Sequence, residues 1–176
     1  VKDLMPVTLL AEIPFVLVSS QQSAIASVAD LIAKAKTQPQ GLSIGHGGNG
    51  TAMHLTSALF AQKAGIGIQL IAYRGTAPAT TDVLAGHVPL AVLDIPASRQ
   101  LIGDGKLKAL GVSAAKRVAF LPDVPTLAEQ GLKGFEVVVL GPVGDGGTTG
   151  GVRTTPAVDS PSVPESLRSN VEDSAD

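Results

Sequence analysis

Apolar residues fall along this chain in short runs broken by glycine and proline. Residues 7–10, apolar except for Thr8, and the continuous apolar run 15–18 have Pro14 between them, and such runs rather than alternating ones predict strands buried on both faces. Residues 19–26 form a polar link. Val28, Leu31, Ile32 and Ala35 then recur on one helical face, which predicts a helix over 28–37. Ser27 is its expected cap, with Asp30 at a capping-box-like spacing. Lys34 and Lys36 suit the C-terminal end of the helix dipole, and Pro39 and Gly41 end the helix. A short strand from residue 42, a glycine-rich turn and a helix over 52–64 follow. Leu55 and Leu59 are expected on the inner face of that helix and Gly65 just past its end. Residues 66–73 read as a strand, with Ile68, Leu70 and Ala72 alternating against Gln69, Ile71 and Tyr73. Residues 74–78 turn into a helix ending at Gly86, with Thr76 as the expected cap and Pro78 in the first turn. Beyond it lie a strand over 89–94, a helix entered through Ile95-Pro96 and ending near 103–105, and a strand over 107–112. A proline-punctuated loop over 119–125, a short helix over 126–131 and a last apolar strand over 135–140 complete the pattern.

Strands alternating with helices predict an α/β fold with a parallel sheet. The strand-to-helix turns at 45–51, 75–78 and 94–97 are then expected at one edge, the C-terminal one, where open α/β sheets bind ligands.

Composition narrows the chemistry. The chain has 176 residues, the size of one ordinary domain, and is 44% hydrophobic but only 3% aromatic, with no Trp. Its core is therefore aliphatic. A net charge of −2 with no basic block argues against nucleic-acid binding. The absence of cysteine excludes disulfides, thiolate metal sites and cysteine nucleophiles. No apolar run reaches the roughly 18 residues of a membrane span. The first residues, Val1-Lys2-Asp3-Leu4, carry neither Met nor an apolar leader, which suggests a processed or truncated chain.

The stretch Gly45-His46-Gly47-Gly48-Asn49-Gly50-Thr51 carries the densest signal. Its glycines permit positive φ and close approach of a ligand. Thr51 is a plausible N-cap, and a helix start suits a phosphate or carboxylate. The run matches the dinucleotide pattern G-x-G-x-x-G between a strand and a helix, but the following strand ends in Tyr73-Arg74 where a ribose-binding acid is expected. An NAD(P)-binding oxidoreductase domain, with an Arg serving a 2′-phosphate, is the competing reading. A P-loop fits worse, because no Lys stands between Gly50 and Thr51. A turn that binds nothing is the plain alternative.

Catalysis and metal binding find little support. His46, His54 and His87 show no metal-ligand spacing, and there is no G-x-S-x-G elbow. His54 reads as a packing or capping partner and His87 as a solvated turn residue. Asp82, Asp94 and Asp104 form no recognisable carboxylate pair. Lys106 and Lys108 read as a solvated strand edge. Tyr73 and Arg74 either line the crevice or mark an exposed strand end.

Several ordered motifs together resemble one family: residues 44–55, then Ala72-Tyr73-Arg74-Gly75-Thr76-Ala77-Pro78-Ala79, Leu84-Ala85-Gly86-His87-Val88, residues 106–117 and residues 121–129. Their order and spacing over residues 3–138 are similar to the Bug family, the extracytoplasmic solute-binding receptors of tripartite tricarboxylate transporters. The resemblance implies a type II periplasmic-binding-protein-like fold that closes over a small di- or tricarboxylate. It also implies delivery of that ligand to a membrane permease, a periplasmic location and a monomer. It implies no cofactor, no catalytic residue and no metal. Complete members are roughly twice this length. The chain then corresponds to partial first-lobe or hinge strands at 1–18, a parallel-sheet second lobe at 19–134, and a return hinge strand at 135–140. A truncated, non-functional receptor fragment is a further reading.

The family's helix-start contacts map onto Gly48, Asn49, Gly50 and Thr51, and its second loop onto Gly75, Thr76 and Ala77. Where the family often has Ser and a small non-glycine residue, this chain has His46 and Gly47. His46 either hydrogen-bonds a carboxylate or narrows the pocket. Asp94 matches an acidic position at a strand end, to orient a ligand amine or hydroxyl or to cap the next turn. Residues 141–176 are rich in Gly, Thr, Ser and Pro and depart from the family's return to its first lobe. They are expected to be a disordered tail, arising from a frameshift or gene-model end near residues 138–144.

Overall fold

A computed structural model describes residues 11–38, 41–141 and 151–154. Strand β1 spans Ala11–Ser20 and is followed by helix α1 (Val28–Thr37), β2 (Ser43–His46) and α2 (Ala52–Ala64). Then come β3 (Gln69–Ala72), α3 (Thr76–Ala85), β4 (Leu90–Asp94), α4 (Ile95–Gly103), β5 (Leu107–Val112), β6 (Val137–Gly141) and β7 (Gly151–Thr154). The expected strand over 7–10 lies outside the described residues.

Strands β3, β2 and β4 are adjacent and parallel, as the β-α-β alternation predicts. The sheet as a whole is mixed rather than parallel, because β1 runs antiparallel to β4 on one side and to β5 on the other. Burial on both faces produces the continuous apolar run, but it carries no information about strand direction. Phe15 and Leu17 enter one core cluster with Val28 and Leu31 of α1 and Phe60 of α2. Val16 and Val18 enter a second with Ala79 and Val83 of α3 and Ile95 of α4. The helices thus cover both faces of the sheet, and each fully buried aliphatic side chain of β1 contributes on the order of 1.5–3 kcal/mol.

Pro14 does not interrupt β1. It sits where the strand leaves β4 and β5 and pairs with β6 through Ala11–Pro14 instead. A residue without an N–H is tolerated at such a change of partner. Buried Ser113 knits this junction. Its Oγ accepts from Phe15 N at 2.8 Å and donates to Val137 O at 2.6 Å.

Local signals hold at most element ends. Ser27 Oγ accepts from Asp30 N at 3.1 Å, and Asp30 reaches back to Ala26 N. Gly65 and Gly86 take left-handed conformations at the ends of α2 and α3. Four expectations are corrected. On α2 the buried residues are Thr56, Ser57 and Phe60, whereas Leu59 is partly buried and Leu55 is 41% exposed. The cap of α3 is Gly75, with φ +106°, and Thr76 is already helical. No helix forms over 126–131: Val112 N donates to Pro125 O and Leu127 N to Val112 O, holding this stretch beside β5 as a bridge followed by turns. Thr126 and Glu129 nevertheless make a reciprocal capping box, at 2.8 and 3.0 Å. Lastly, Gly151–Thr154, within the expected disordered tail, pairs with β6 as β7. The remainder of that tail, 142–150 and 155–176, lies outside the described residues.

Among the described residues, no helix is long and apolar enough to cross a membrane.

Candidate functional site

Because β2, β3 and β4 are parallel neighbours, the turns that follow them emerge at one sheet edge. Direct bonds join them. Gly75 N donates to Gly47 O at 3.1 Å, tying the second turn to the first. Thr76 Oγ1 donates to Asp94 Oδ2 at 2.7 Å, tying the second to the third. A Cβ on Gly47 would meet Met53 Sδ at 3.0 Å, so a side chain there would require the Met53 thioether to shift.

The first turn is built by its own polar groups. Gly48 and Gly50 have φ of +136° and +75°. Thr51 caps α2 as expected, its Oγ1 accepting from His54 N at 3.3 Å and donating to Gly48 O at 2.7 Å. Intrahelical bonding leaves the N–H groups of Ala52 and Met53 at the positive end of the α2 dipole. At α3, Gly75 provides no side-chain cap, so the N–H groups of Thr76 and Ala77 are likewise helix-start donors. Asp94 stands at the N-cap position of α4 but its side chain makes no capping bond, which removes the capping role from the two open for it.

His46 is completely buried at the end of β2. Its Nδ1 lies 3.1 Å from Gly48 O and 3.3 Å from Gly48 N. Its ring stacks on that of His54, centroids 4.6 Å apart and planes 12° from parallel. Burial, with a smaller contribution from neighbouring His54, pushes the His46 pKa below its ordinary value against the opposing Gly48 bond. His54 Nδ1 accepts from Gly50 N at 3.1 Å, the capping and packing role expected of it.

Of the ten residues expected at the site, Gly47, Gly48, Thr51, Gly75, Thr76 and Asp94 are joined by the bonds above, and His46 lies beneath the first turn. Asn49 and Ala77 are exposed on the turns, as is Gly50. Met53, wedged between Gly47 and the Thr76 hydroxyl 3.9 Å away, was not anticipated, since nothing in its local sequence marks it. The stacking of His46 on His54 was missed as well, because it spans the turn with no periodic signal. Tyr73 does not face an empty crevice: its hydroxyl donates to Asp82 at 2.7 Å. His87 is a solvated turn residue 3.5 Å from Asp82. Lys106 pairs loosely with Asp104 at 3.7 Å. Among the described residues, no group of three or more His, Cys, Asp or Glu is placed to hold a metal ion.

A cavity of about 890 Å³ adjoins the third turn at Ile95 and Pro96 and is lined by no residue of the first two. Its walls include Ile13, Pro14, Ile95, Val118, Phe120 and Val138, with Arg99 and Lys116 also lining it. Phe120 is 65% exposed, and the Arg99 guanidinium stands 5.7 Å from its ring centre.

A model of the tripartite tricarboxylate transporter family receptor, TctC, matches residues 1–168. A UPF0065 protein from the tcbD-tcbE intergenic region of Pseudomonas sp. strain P51 is 40% identical over 138 residues, 78% of this chain and 41% of its own length. BugT of Bordetella pertussis is 34% identical over 134 residues, 76% of this chain and 41% of its own. Among solved structures, R. palustris Rpa4515 with adipate superposes with a TM-score of 0.71 at 34% identity, over 86% of this chain and 49% of that one. MatC from Rhodopseudomonas palustris with bound malate superposes with a TM-score of 0.69 at 28% identity, over 76% and 45%. The chain spans under half the length of each of these proteins.

Proposed function

This chain belongs to the tripartite tricarboxylate transporter receptor family, and from that premise we propose that it captures a small di- or tricarboxylate reversibly for delivery to a membrane permease, in the periplasm. The family is one of solute receptors, not of enzymes. The ligand would be gripped by charge-assisted hydrogen bonds from the starts of α2 and α3, at Gly47–Thr51 and Gly75–Ala77, with His46 beneath and Asp94 beside them. The observation that carries this reading is the bonding of three turns into one edge, Gly75 to Gly47 and Thr76 to Asp94. Adipate and malate in two structurally similar proteins support the choice of ligand class. Asp94 would accept a hydroxyl or ammonium hydrogen from the ligand, since a second carboxylate beside it would be repelled.

We further propose that the chain is a second lobe with the two strands that lead to a first. The partner exchange of β1 at Pro14 and the apolar cavity beside Ile13 and Val138 support that division.

A thermal-shift series with di- and tricarboxylates, NAD(H) and NADP(H) tests the reading. A ligand that prefers the folded state must raise the melting temperature. A rise with carboxylates alone is expected. A rise with the nucleotides alone would overturn the receptor reading in favour of the dinucleotide one. No response from a cooperatively melting chain would overturn the claim that this half holds a working site by itself.

A further inference from the structure

Among the described residues, His46 Nε2 is the buried side-chain polar atom without a hydrogen-bond partner. Counting hydrogens fixes its state. If Nδ1 carried the proton it would donate to Gly48 O, which already accepts from the Thr51 hydroxyl at 2.7 Å. Gly48 N–H and Nε2 would then both lack partners. With the proton on Nε2, Nδ1 accepts from Gly48 N–H and a single group is left unpaired. Each unmade buried bond costs on the order of 1–3 kcal/mol, so the Nε2–H form is favoured. His54 likewise accepts from Gly50 N–H through Nδ1, at 3.1 Å.

The two imidazoles lie stacked, each using its Nδ1 lone pair to occupy one N–H of the glycine turn. While each ring accepts, neither N–H is available to an anion at the turn. A proton added to either Nδ1 converts an acceptor into a donor. It breaks the bond to Gly48 or Gly50, releases that N–H, and places a positive charge beside the start of α2. Every one of these changes favours a bound anion. Rings 4.6 Å apart disfavour two charges, so the pair takes up one proton, not two.

We propose that the His46–His54 stack couples carboxylate binding to uptake of one proton, so that affinity rises as pH falls. The inference rests on the carboxylate reading given above and adds its regulation. The direction follows from linkage. Burial and His54 disfavour the charged form of His46 in the free chain, the ligand's negative charge favours the protonated pair, and binding draws a proton in the window between the two states. The other titratable and charged groups around the turn are Tyr73 and Arg74 after β3, Asp82 on α3 and Asp94 at the end of β4. Tyr73 and Asp82 bond to each other, and Asp94 to Thr76.

Isothermal titration calorimetry with malate and adipate tests the proposal on the unaltered chain, in buffers of different ionisation enthalpy between about pH 6 and about pH 8, the range in which a histidine exchanges its proton. Uptake of up to about one proton is expected, with Kd falling about three- to tenfold on acidification. His46→Gln and His54→Gln should each flatten that slope, and His87→Gln should keep it. Binding without proton uptake, or a slope that survives both substitutions, would overturn the coupling while leaving carboxylate binding intact. Absence of binding at every pH would instead overturn the claim that this half holds a working carboxylate site by itself, and the coupling with it.

Discussion

Thr76 and Asp94 belong to different turns and meet through a 2.7 Å bond in which a hydroxyl donates to a carboxylate. Sequence reading places both residues at the site but gives Thr76 the wrong task. The glycine before it, at φ +106°, ends the turn and takes the cap position, so the hydroxyl is free to reach the third turn. Side-chain partners 18 residues apart are set by the register of β2, β3 and β4, which no local pattern encodes. The same holds for His46 and His54, and for Met53 against Gly47. Thr76→Val keeps the shape of the side chain and removes the donor. It should cost about 1 kcal/mol in urea unfolding, with a hydrogen bond to a charged group at the upper limit of about 3 kcal/mol reduced here by partial exposure. Carboxylate affinity should fall several-fold as the second and third turns come apart. Thr76→Ser should restore both. Equal stability of Thr76→Val and the unaltered chain would mean that the bond does not hold the turns together.

Elements were legible where a local rule determines them. Ser27 with Asp30, Thr51 after four glycines, and Gly65 and Gly86 past helix ends were all visible as caps, and all four positions perform that role. Residues 126–131 show where such rules stop. The capping box of Thr126 and Glu129 forms, yet pairing with Val112 on one side and Gly131 at φ +99° on the other leave room for turns only. The edge strand β3 is held to α3 by Tyr73, whose hydroxyl bonds Asp82 and whose ring fills the space that the absent side chain of Gly45 leaves. Burial first, then the Asp82 bond and charge, push the Tyr73 pKa up to about 12. A raised pKa means that this contribution to stability is complete below the unfolded tyrosine value near 10 and is lost as pH climbs through the folded one. Tyr73 is the sole tyrosine and there is no Trp, so phenolate absorbance reports it alone. Its midpoint should lie near 12 while circular dichroism still shows the fold, and should move part of the way toward 10 in Asp82→Asn. A midpoint near 10 in the folded, unaltered chain would mean that Tyr73 is solvated and the tie to α3 is absent.

At the scale of the whole molecule, the alternation of strands and helices was enough to bring three turns to one edge, and parallel β2, β3 and β4 meet that expectation. The antiparallel course of β1 was not legible, and neither was the cavity of about 890 Å³ that its outer half helps to form. Its walls come from β1, α4, the loop after β5 and β6, too far apart in sequence for any pattern to link them. Such an apolar hollow, with Phe120 65% exposed at its wall, exceeds what scattered surface hydrophobes explain. It adjoins β1 and β6, and this chain spans under half of its relatives' length, so the two-lobed reading expects further receptor to cover it. In the chain as it stands the hollow should then be open. Anilinonaphthalene sulfonate suits it, with an aromatic body for the apolar wall and a sulfonate for Arg99 and Lys116. The dye should fluoresce strongly with this chain, and Phe120→Ser should reduce the signal several-fold without lowering the melting temperature, because Phe120 contributes little buried area of its own. A weak signal that Phe120→Ser leaves unchanged would mean that the hollow is already filled, and the reading that a missing lobe closes it would fall.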